Sequence, residues 1–302
     1  MADVASKLEV SELDFDTIKT NLKNFLSDQN EFADYDFDAS GLSVLLDLLA
    51  YNTHYNAVYA NVLANEMFID SADLRNSVVS HAKHLGYTAR SATAPYADLT
   101  VVVNDATGAT LTAAQGTIFQ TTVDGTTYNY LVKEDTTITP ASGVYTFSNL
   151  KIYEGTLVTN KYTVDTADAN QRFLIKNDFA DTTTLQVKVQ NSSTDTTTTT
   201  YTKSTDLADV TSTSTVYYLE GAEDEQYEVK FGDGVLGKAL STGNIVSLVY
   251  IVTNGADSNG ASSFTLSGTV GGFSDVSLTV NTNSANGADP ESPSSIRFNA
   301  PK

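Results

Sequence analysis

The stretch GLSVLLDLLAYNTHYNAVYANVLANEMF, residues 41–68, decides how the N-terminal part of this chain folds. Its apolar residues recur along the whole stretch, and at about 100° per residue they fall on two sides of one long α-helix. One side holds Leu42, Leu45, Leu46, Leu49, Ala57, Ala60 and Leu63; the other holds Val44, Leu48, Tyr51, Tyr55, Val58, Tyr59 and Val62; a polar strip of Asp47, His54, Asn61 and Asn65 separates them. A helix with two apolar sides requires two packing partners. The segment YNTHYN is a poor helix former, so a break near Asn52 is the alternative.

Two further helices flank this one in the sequence. Asp14–Leu26 has apolar residues at spacings of three and four, with Asp14 or Asp16 as the N-cap. Residues 71–87, SADLRNSVVSHAKHLGY, predict a helix that begins at Ser71 and ends at Gly86, while Asp38 or Ser40 is expected to cap the long helix. We expect the two flanking helices to cover one side of the long helix. The tyrosine side then faces either the rest of the chain or another subunit.

From Ala97 onward the sequence favours β-strands. The runs that are β-branched or aromatic and bounded by turn residues are DLTVVV, GTIFQTTV, TYNYLVK, TLQVKVQ, TVYYLE, QYEVKF and IVSLVYIV. Asp124-Gly125 predicts a hairpin turn between two of them. The threonine-rich segment Thr194–Thr200 predicts an exposed hairpin, with a disordered or glycosylated stalk as the alternative.

These patterns predict an α+β fold, in which an N-terminal helical region precedes a mainly antiparallel β-rich domain. We place the helical assembly region at residues 1–90 and the β-rich domain at residues 91–288. Residues 289–302, DPESPSSIRFNAPK, have the composition of a helix start with little helix after it. They predict the beginning of a further, truncated segment.

Composition narrows the possible functions. The chain has 302 residues, no cysteine and a formal net charge of -20. Without cysteine there is no disulfide and no thiolate nucleophile or ligand. The negative field disfavours nucleic acid and anionic lipid as partners, and no run of about 18 apolar residues predicts a membrane span. The first residues lack the basic and apolar parts of a signal peptide.

The glycine-rich stretch FGDGVLG, Phe231–Gly237, matches the GxGxxG spacing of dinucleotide-binding loops. Such a loop follows a strand and opens a helix, whose N-terminus holds the pyrophosphate. Here the following residues KALSTGN lead into another strand, so the pattern predicts a tight turn with its bend at Asp233-Gly234.

Other polar clusters imitate metal or catalytic sites without completing them. DYDFDASG, residues 34–41, has the alternating acids of a calcium loop but lacks the glycine and glutamate that an EF-hand requires. NGADSNG, residues 254–260, is oxygen-rich but typical of turns, and His81 and His84 have no third ligand nearby in sequence. We therefore expect no metal, no cofactor and no catalytic residue.

The chain resembles a known family in three places. Residues 29–87 resemble the N-terminal region of the baseplate wedge protein six family of T-even-like contractile-tail phages, with NEF, DYDF, LLAYNT, ADLRNSVV and GY in the family's order. TNGADSNGASSF, residues 253–264, resembles a second segment of that family, and FGDGVLG resembles a turn shared with baseplate-J-like proteins. The family's chains are about twice as long, and the threonine-rich residues 182–215 have no counterpart in the resemblance.

The resemblance implies a structural role in the virion tail baseplate rather than an enzyme. It implies an inner ring around the hub, in which paired copies link neighbouring wedges beside wedge proteins seven, twenty-five and fifty-three. It also implies assembly in the host cytoplasm and a ring rearrangement coupled to the initiation of sheath contraction. The two-sided helix then has a purpose: we hypothesise that Tyr51, Tyr55, Val58, Tyr59 and Val62 form a protein interface.

Two other functions are compatible with parts of the sequence. The abundance of Thr, Ser, Asn and Tyr is also typical of a β-rich extracellular adhesin or carbohydrate-binding protein, although such a protein would carry a signal peptide and few long helices. A hydrolase that uses surface carboxylates would require a cleft with perturbed acids.

Overall fold

A computed structural model describes residues 14–29, 31, 35–37, 40–222 and 226–301. The chain forms two compact units. The first contains Met1–Gly86 and Pro293–Lys302, and the second contains Tyr87–Ser292. Residues 293–301 therefore belong to the same unit as the N-terminal helices, although they follow the β-rich unit in sequence.

The helices are α1 (Phe15–Ser27), α2 (Leu42–Glu66), α3 (Arg75–His84) and α4 (Pro293–Asn299). The strands are β1 (Tyr96–Val103), β2 (Leu111–Ala113), β3 (Ile118–Val123), β4 (Thr126–Val132), β5 (Thr136–Ile138), β6 (Tyr145–Glu154), β7 (Thr156–Thr163), β8 (Phe173–Ile175), β9 (Ala180–Gln190), β10 (Thr198–Lys203), β11 (Val216–Gly221), β12 (Tyr227–Phe231), β13 (Ile245–Val252), β14 (Thr265–Ser267) and β15 (Val276–Ala285). The predicted class, helices followed by a mainly antiparallel β-rich domain, is confirmed.

In the helical unit, α1 begins where the sequence predicts. The carboxylate of Asp14 accepts a hydrogen bond from the backbone N–H of Thr17 at 2.8 Å, which satisfies one of the free donors of the first turn. Helix α1 packs against α2, where Lys19 forms an ion pair with Asp47. Helix α2 runs unbroken through YNTHYN, so the predicted alternative of a break near Asn52 is wrong. The proposed cap Asp38 lies outside the described residues.

Helix α3 begins at Arg75, four residues later than the sequence predicts. The reason is the carboxylate of Glu66, whose Oε1 accepts hydrogen bonds from the backbone N–H groups of Asp73 and Leu74, at 2.9 and 3.2 Å. This contact caps the helix from outside its own sequence and holds the residues from Ser71 onward as a turn. Gly86 ends the element with φ of +76°, as predicted for a left-handed C-terminal residue.

Helix α4 is short and packs against α3. Pro293 is its first residue, a position where the missing N–H of proline costs nothing. Ile296 is fully buried, and Arg297 donates to the backbone carbonyl of Ala72 at 3.0 Å. The helix-start composition of the last residues therefore corresponds to a real helix of seven residues.

The second unit contains three sheets. Their strand orders are β14-β3-β4-β6-β1-β15, β7-β13-β9-β10-β11-β12-β8 and β2-β5. Neighbouring strands are antiparallel except for β10 and β11, which pair in parallel. All seven predicted runs lie in strands.

Each large sheet has its own apolar core. Leu99, Val101, Phe119, Phe147 and Ile152 are the centre of the first, and the second is built around Ile175, Val187, Val229, Val246 and Leu248. Leu99 and Val101 of β1, like Val246 and Leu248 of β13, occupy alternate positions, because successive side chains of a strand point to opposite faces.

Both predicted hairpins are confirmed. Val123 pairs with Thr126, so Asp124 and Gly125 form a two-residue turn, and their φ values of 49° and 84° match a type I′ turn. Gln190 pairs with Thr198, so the threonine-rich segment forms the loop and the first part of the returning strand of a β9–β10 hairpin.

Candidate protein interface

The buried side of α2 lies where the polar strip meets the edge of the leucine side. Leu46, Ala50 and Asn61 are the buried residues of this helix. They lie on one stripe at helical spacing, with His54 half-buried between them. The expectation that neighbouring helices cover one whole apolar side holds only at the edge of that side, because Leu46 is buried but Leu45 and Leu49 are exposed.

The two apolar sides of α2 meet on the solvent side of the helix. Its large exposed residues are Val44, Leu45, Leu48, Leu49, Tyr51, Tyr55, Tyr59, Val62 and Leu63, each between 42% and 69% exposed. At about 100° per residue these positions span on the order of 160° of the helix circumference. We call these nine residues the exposed α2 surface.

Four of the five residues predicted to form the interface belong to the exposed α2 surface. They are Tyr51, Tyr55, Tyr59 and Val62, whereas Val58 is half-buried. The predicted interface did not include the exposed residues Leu45, Leu49 and Leu63, because their side of the helix was expected to pack against the chain's own helices. Their signal was present in the sequence as an unusually wide apolar arc, which one small neighbouring helix is too narrow to cover.

The three tyrosines stack along the helix. The ring centroids of Tyr51 and Tyr55 are 4.5 Å apart, and those of Tyr55 and Tyr59 are 6.3 Å apart. A side-chain hydrogen bond with Tyr55 raises the pKa of Tyr51 above its usual value. Mutual contact restricts the rotamers of these three rings, so their side chains lose less conformational entropy when a partner covers them.

The C-terminal end of α2 is fixed to α3 by polar contacts. Besides the carboxylate contacts of Glu66, its carbonyl oxygen is 2.8 Å from the Nε2 atom of His81, and Ser71 donates to the carbonyl of Asn65 at 2.7 Å. Partial burial acts to raise the pKa of Glu66, but the hydrogen bonds from Ser77 and from the N–H groups of Asp73 and Leu74 hold it below its usual value. His81 therefore helps to hold the end of α2 against α3.

The FGDGVLG stretch is a rigid turn, as predicted. It follows β12 and leads to β13 with no helix between them. The Oδ1 atom of Asp233 accepts from the N–H groups of Val235 and Leu236 at 2.9 and 3.0 Å, and these bonds lower its pKa. A Cβ on Gly232 would lie 2.3 Å from the backbone carbon of Gly237, so this close approach requires glycine.

The oxygen-rich segment NGADSNG is held at its start by a buried carboxylate. Glu154 is 1% exposed and accepts from the hydroxyl of Thr253 at 2.5 Å, the N–H of Asn254 at 2.9 Å and the Nδ2 of Asn254 at 2.7 Å. Nearby, the hydroxyl of Tyr130 donates to the carbonyl oxygen of Ser258 at 3.0 Å. Burial of a carboxylate is tolerated when several donors satisfy it.

In the part of the chain that the structure describes, no three histidine, aspartate or glutamate side chains are arranged to hold a metal ion. Nor does any described helix combine the length and apolar content that a membrane crossing requires. The exposed α2 surface offers apolar contact and tyrosine hydrogen bonding, both of which are common in protein interfaces.

Comparisons with known proteins identify the relatives of this chain. Residues 14–87 match the family model for the helical domain of gp6-like baseplate wedge proteins. The chain is also 30% identical, over 309 aligned residues, to baseplate wedge protein gp6 of Enterobacteria phage T4, an alignment that covers 94% of this chain and 46% of that protein. The chain thus spans about half the length of this curated relative.

These matches confirm the family resemblance seen in the sequence. The N-terminal helical region is similar to the gp6-like helical domain, and the similarity to the phage T4 protein extends over 94% of this chain.

Proposed function

We propose that this chain, a relative of gp6, is a structural component of a baseplate wedge that forms the inner ring around the tail hub. In this proposal, paired copies link neighbouring wedges beside wedge proteins resembling seven, twenty-five and fifty-three. Assembly takes place in the host cytoplasm, and rearrangement of the ring accompanies the initiation of sheath contraction. The protein acts by contact and performs no catalysis.

The observation that carries this proposal is the exposed α2 surface. Burying one aliphatic or aromatic side chain contributes about 1.5–3 kcal/mol, so nine such side chains left in water forgo a large stabilisation. A contiguous apolar surface of this kind is typical of a protein–protein contact. It also lies within the gp6-like helical domain, residues 14–87, where the family relationship is most specific.

Charge also favours a protein contact at this surface. Two copies of a chain with a net charge of -20 repel each other over most of their surfaces. Between Leu42 and Glu66 the acidic residues are Asp47 and Glu66, and both are engaged by Lys19 or by the start of α3. The exposed α2 surface is therefore free of charged side chains, as the centres of stable interfaces are.

The test replaces Tyr51, Tyr55 and Tyr59 by serine in one variant. We expect this variant to retain its secondary structure, because the three rings are exposed, and to lose co-assembly with the other wedge proteins. The measurement is co-purification of the wedge complex after co-expression, with circular dichroism as the folding check.

A matched control replaces three exposed apolar residues of the β-rich unit, Val144, Phe179 and Leu207, by serine. This control should assemble normally. Normal assembly of the tyrosine variant would refute the role proposed for the exposed α2 surface.

A further inference from the structure

The strand β15 is an open edge of the six-stranded sheet. It pairs with β1 on one side, and no other described strand pairs with it. The far end of β15 is covered, because Ser284 exchanges backbone hydrogen bonds with Gly260 and Ala261. A register shift at Asn281 separates this end from the regular part of the strand. Val276–Val280 is thus a regular edge of five residues.

The other sheet edges are protected in ways that β15 is not. Strands β14 and β8 are only three residues long, and β7 carries Lys161. Short edges and edge lysines are the devices by which proteins prevent strand addition. Strand β15 has ten residues without a charge or a proline, which makes it suitable for pairing with another strand.

The side chains of this edge favour a strand with the same composition. Val276, Leu278 and Val280 pack on the core of their own sheet, while Ser277 and Thr279 are exposed. Hydroxyl side chains on neighbouring strands stabilise each other by cross-strand hydrogen bonds. A charged partner strand would find no opposite charge on these residues with which to form an ion pair. Two copies of this acidic chain repel each other least where their facing segments are uncharged.

We infer that residues Val276–Val280 pair antiparallel with the same residues of a second copy, which joins two six-stranded sheets across a two-fold axis. The two-fold arrangement satisfies both open edges at once. Five paired residues form a small contact, so the isolated dimer is weak and gains strength when other contacts hold the copies together. The inference does not depend on the exposed α2 surface or on the proposed wedge role.

Because the chain has no cysteine, single cysteines report this pairing cleanly. The experiment oxidises three samples of the purified full chain: Ser277→Cys, Thr279→Cys, and an equal mixture of the two. In an antiparallel pair, the residues that lie opposite each other have numbers with a constant sum. Pairing of residues 276–280 with themselves centres on Leu278 and places Ser277 of one copy opposite Thr279 of the other, so the equal mixture should form disulfide-linked dimers much faster than either single variant. We expect a rate at least about tenfold above that of Thr159→Cys, an exposed position on the lysine-bearing edge strand β7.

A second substitution separates pairing from random collision. Mixing Ser277→Cys/Thr279→Lys with Ser277→Lys/Thr279→Cys keeps the two cysteines opposite each other but places the two lysines directly opposite each other, so the rapid linkage should disappear while the thermal unfolding midpoint of each variant stays unchanged. Equal linkage rates in all samples, or linkage that survives the lysines, would overturn the inference. Rapid linkage only in the presence of another wedge protein would also overturn it, since that result assigns the edge to a partner's strand.

Discussion

Two buried carboxylates in this protein, Glu154 and Glu291, each fix a segment distant in sequence. Glu154 holds Thr253 and Asn254, and Glu291 accepts from the hydroxyl of Tyr87 at 2.9 Å and from the N–H of Arg90 at 3.0 Å. Both acids are less than 5% exposed. The sequence shows 37 acidic residues without distinguishing these two, because burial depends on contacts made across 100 to 204 positions.

The substitution Glu154→Gln should destabilise the β-rich unit. Its three partners are all donors, so one of them would face the amide N–H₂ and lose its acceptor, at a cost of about 1–3 kcal/mol. Urea unfolding followed by circular dichroism measures this change. The exposed Glu134→Gln should change stability far less, and equal effects of the two would contradict the account of the buried carboxylate.

The contact between α2 and α3 should weaken in acid. The folded-state pKa of Glu66 is lower than its ordinary value of 4.5, so its ionised form stabilises the fold at pH above 4.5. This contribution is lost as the pH falls through the folded-state pKa. We expect the N–H groups of Asp73 and Leu74 to lose hydrogen-exchange protection over that range, while Glu66→Gln should have weak protection at every pH.

At the scale of elements, the sequence predicted well which segments are helices and strands, but predicted poorly which of their side chains are buried. The seven strand runs, the Asp14 cap and the Asp124-Gly125 turn all rest on local preferences that the structure respects. The side of α2 that faces its neighbour was missed, because the apolar pattern is wider than the surface that α1 covers. Likewise, the start of α3 was misplaced because its cap comes from Glu66, a residue of another helix.

Two adjacent leucines of α2 test the corrected packing. Leu46 is 2% exposed and Leu45 is 54% exposed, although the helical pattern assigns both to the same side. Leu46→Ala should cost about 2–5 kcal/mol of unfolding free energy, and Leu45→Ala should cost much less, because only the first leaves a cavity. Chemical denaturation of the two variants checks this, and a reversed order would mean that α1 packs on the other side of α2.

At the scale of the whole molecule, buried tyrosines make the β-rich unit sensitive to alkali. Burial raises the pKa above 10.0 for Tyr130, Tyr153, Tyr162, Tyr201, Tyr217 and Tyr250. The folded state therefore holds these protons more tightly than the unfolded state, so stability is greatest below pH 10 and falls as the pH rises. The urea midpoint of the β-rich unit should decrease between about pH 9 and about pH 11. A constant midpoint would show that these hydroxyls ionise without unfolding.

The whole chain combines an acidic surface with one long apolar, uncharged helical face, and the central claim is that a partner chain covers this face. Hydroxyl-radical footprinting of Tyr51, Tyr55 and Tyr59, in the free chain and in the assembled wedge, measures this most directly. We expect strong labelling of the three tyrosines in the free chain and protection in the wedge, with Phe179 labelled equally in both. Equal labelling of the tyrosines before and after assembly would contradict the account.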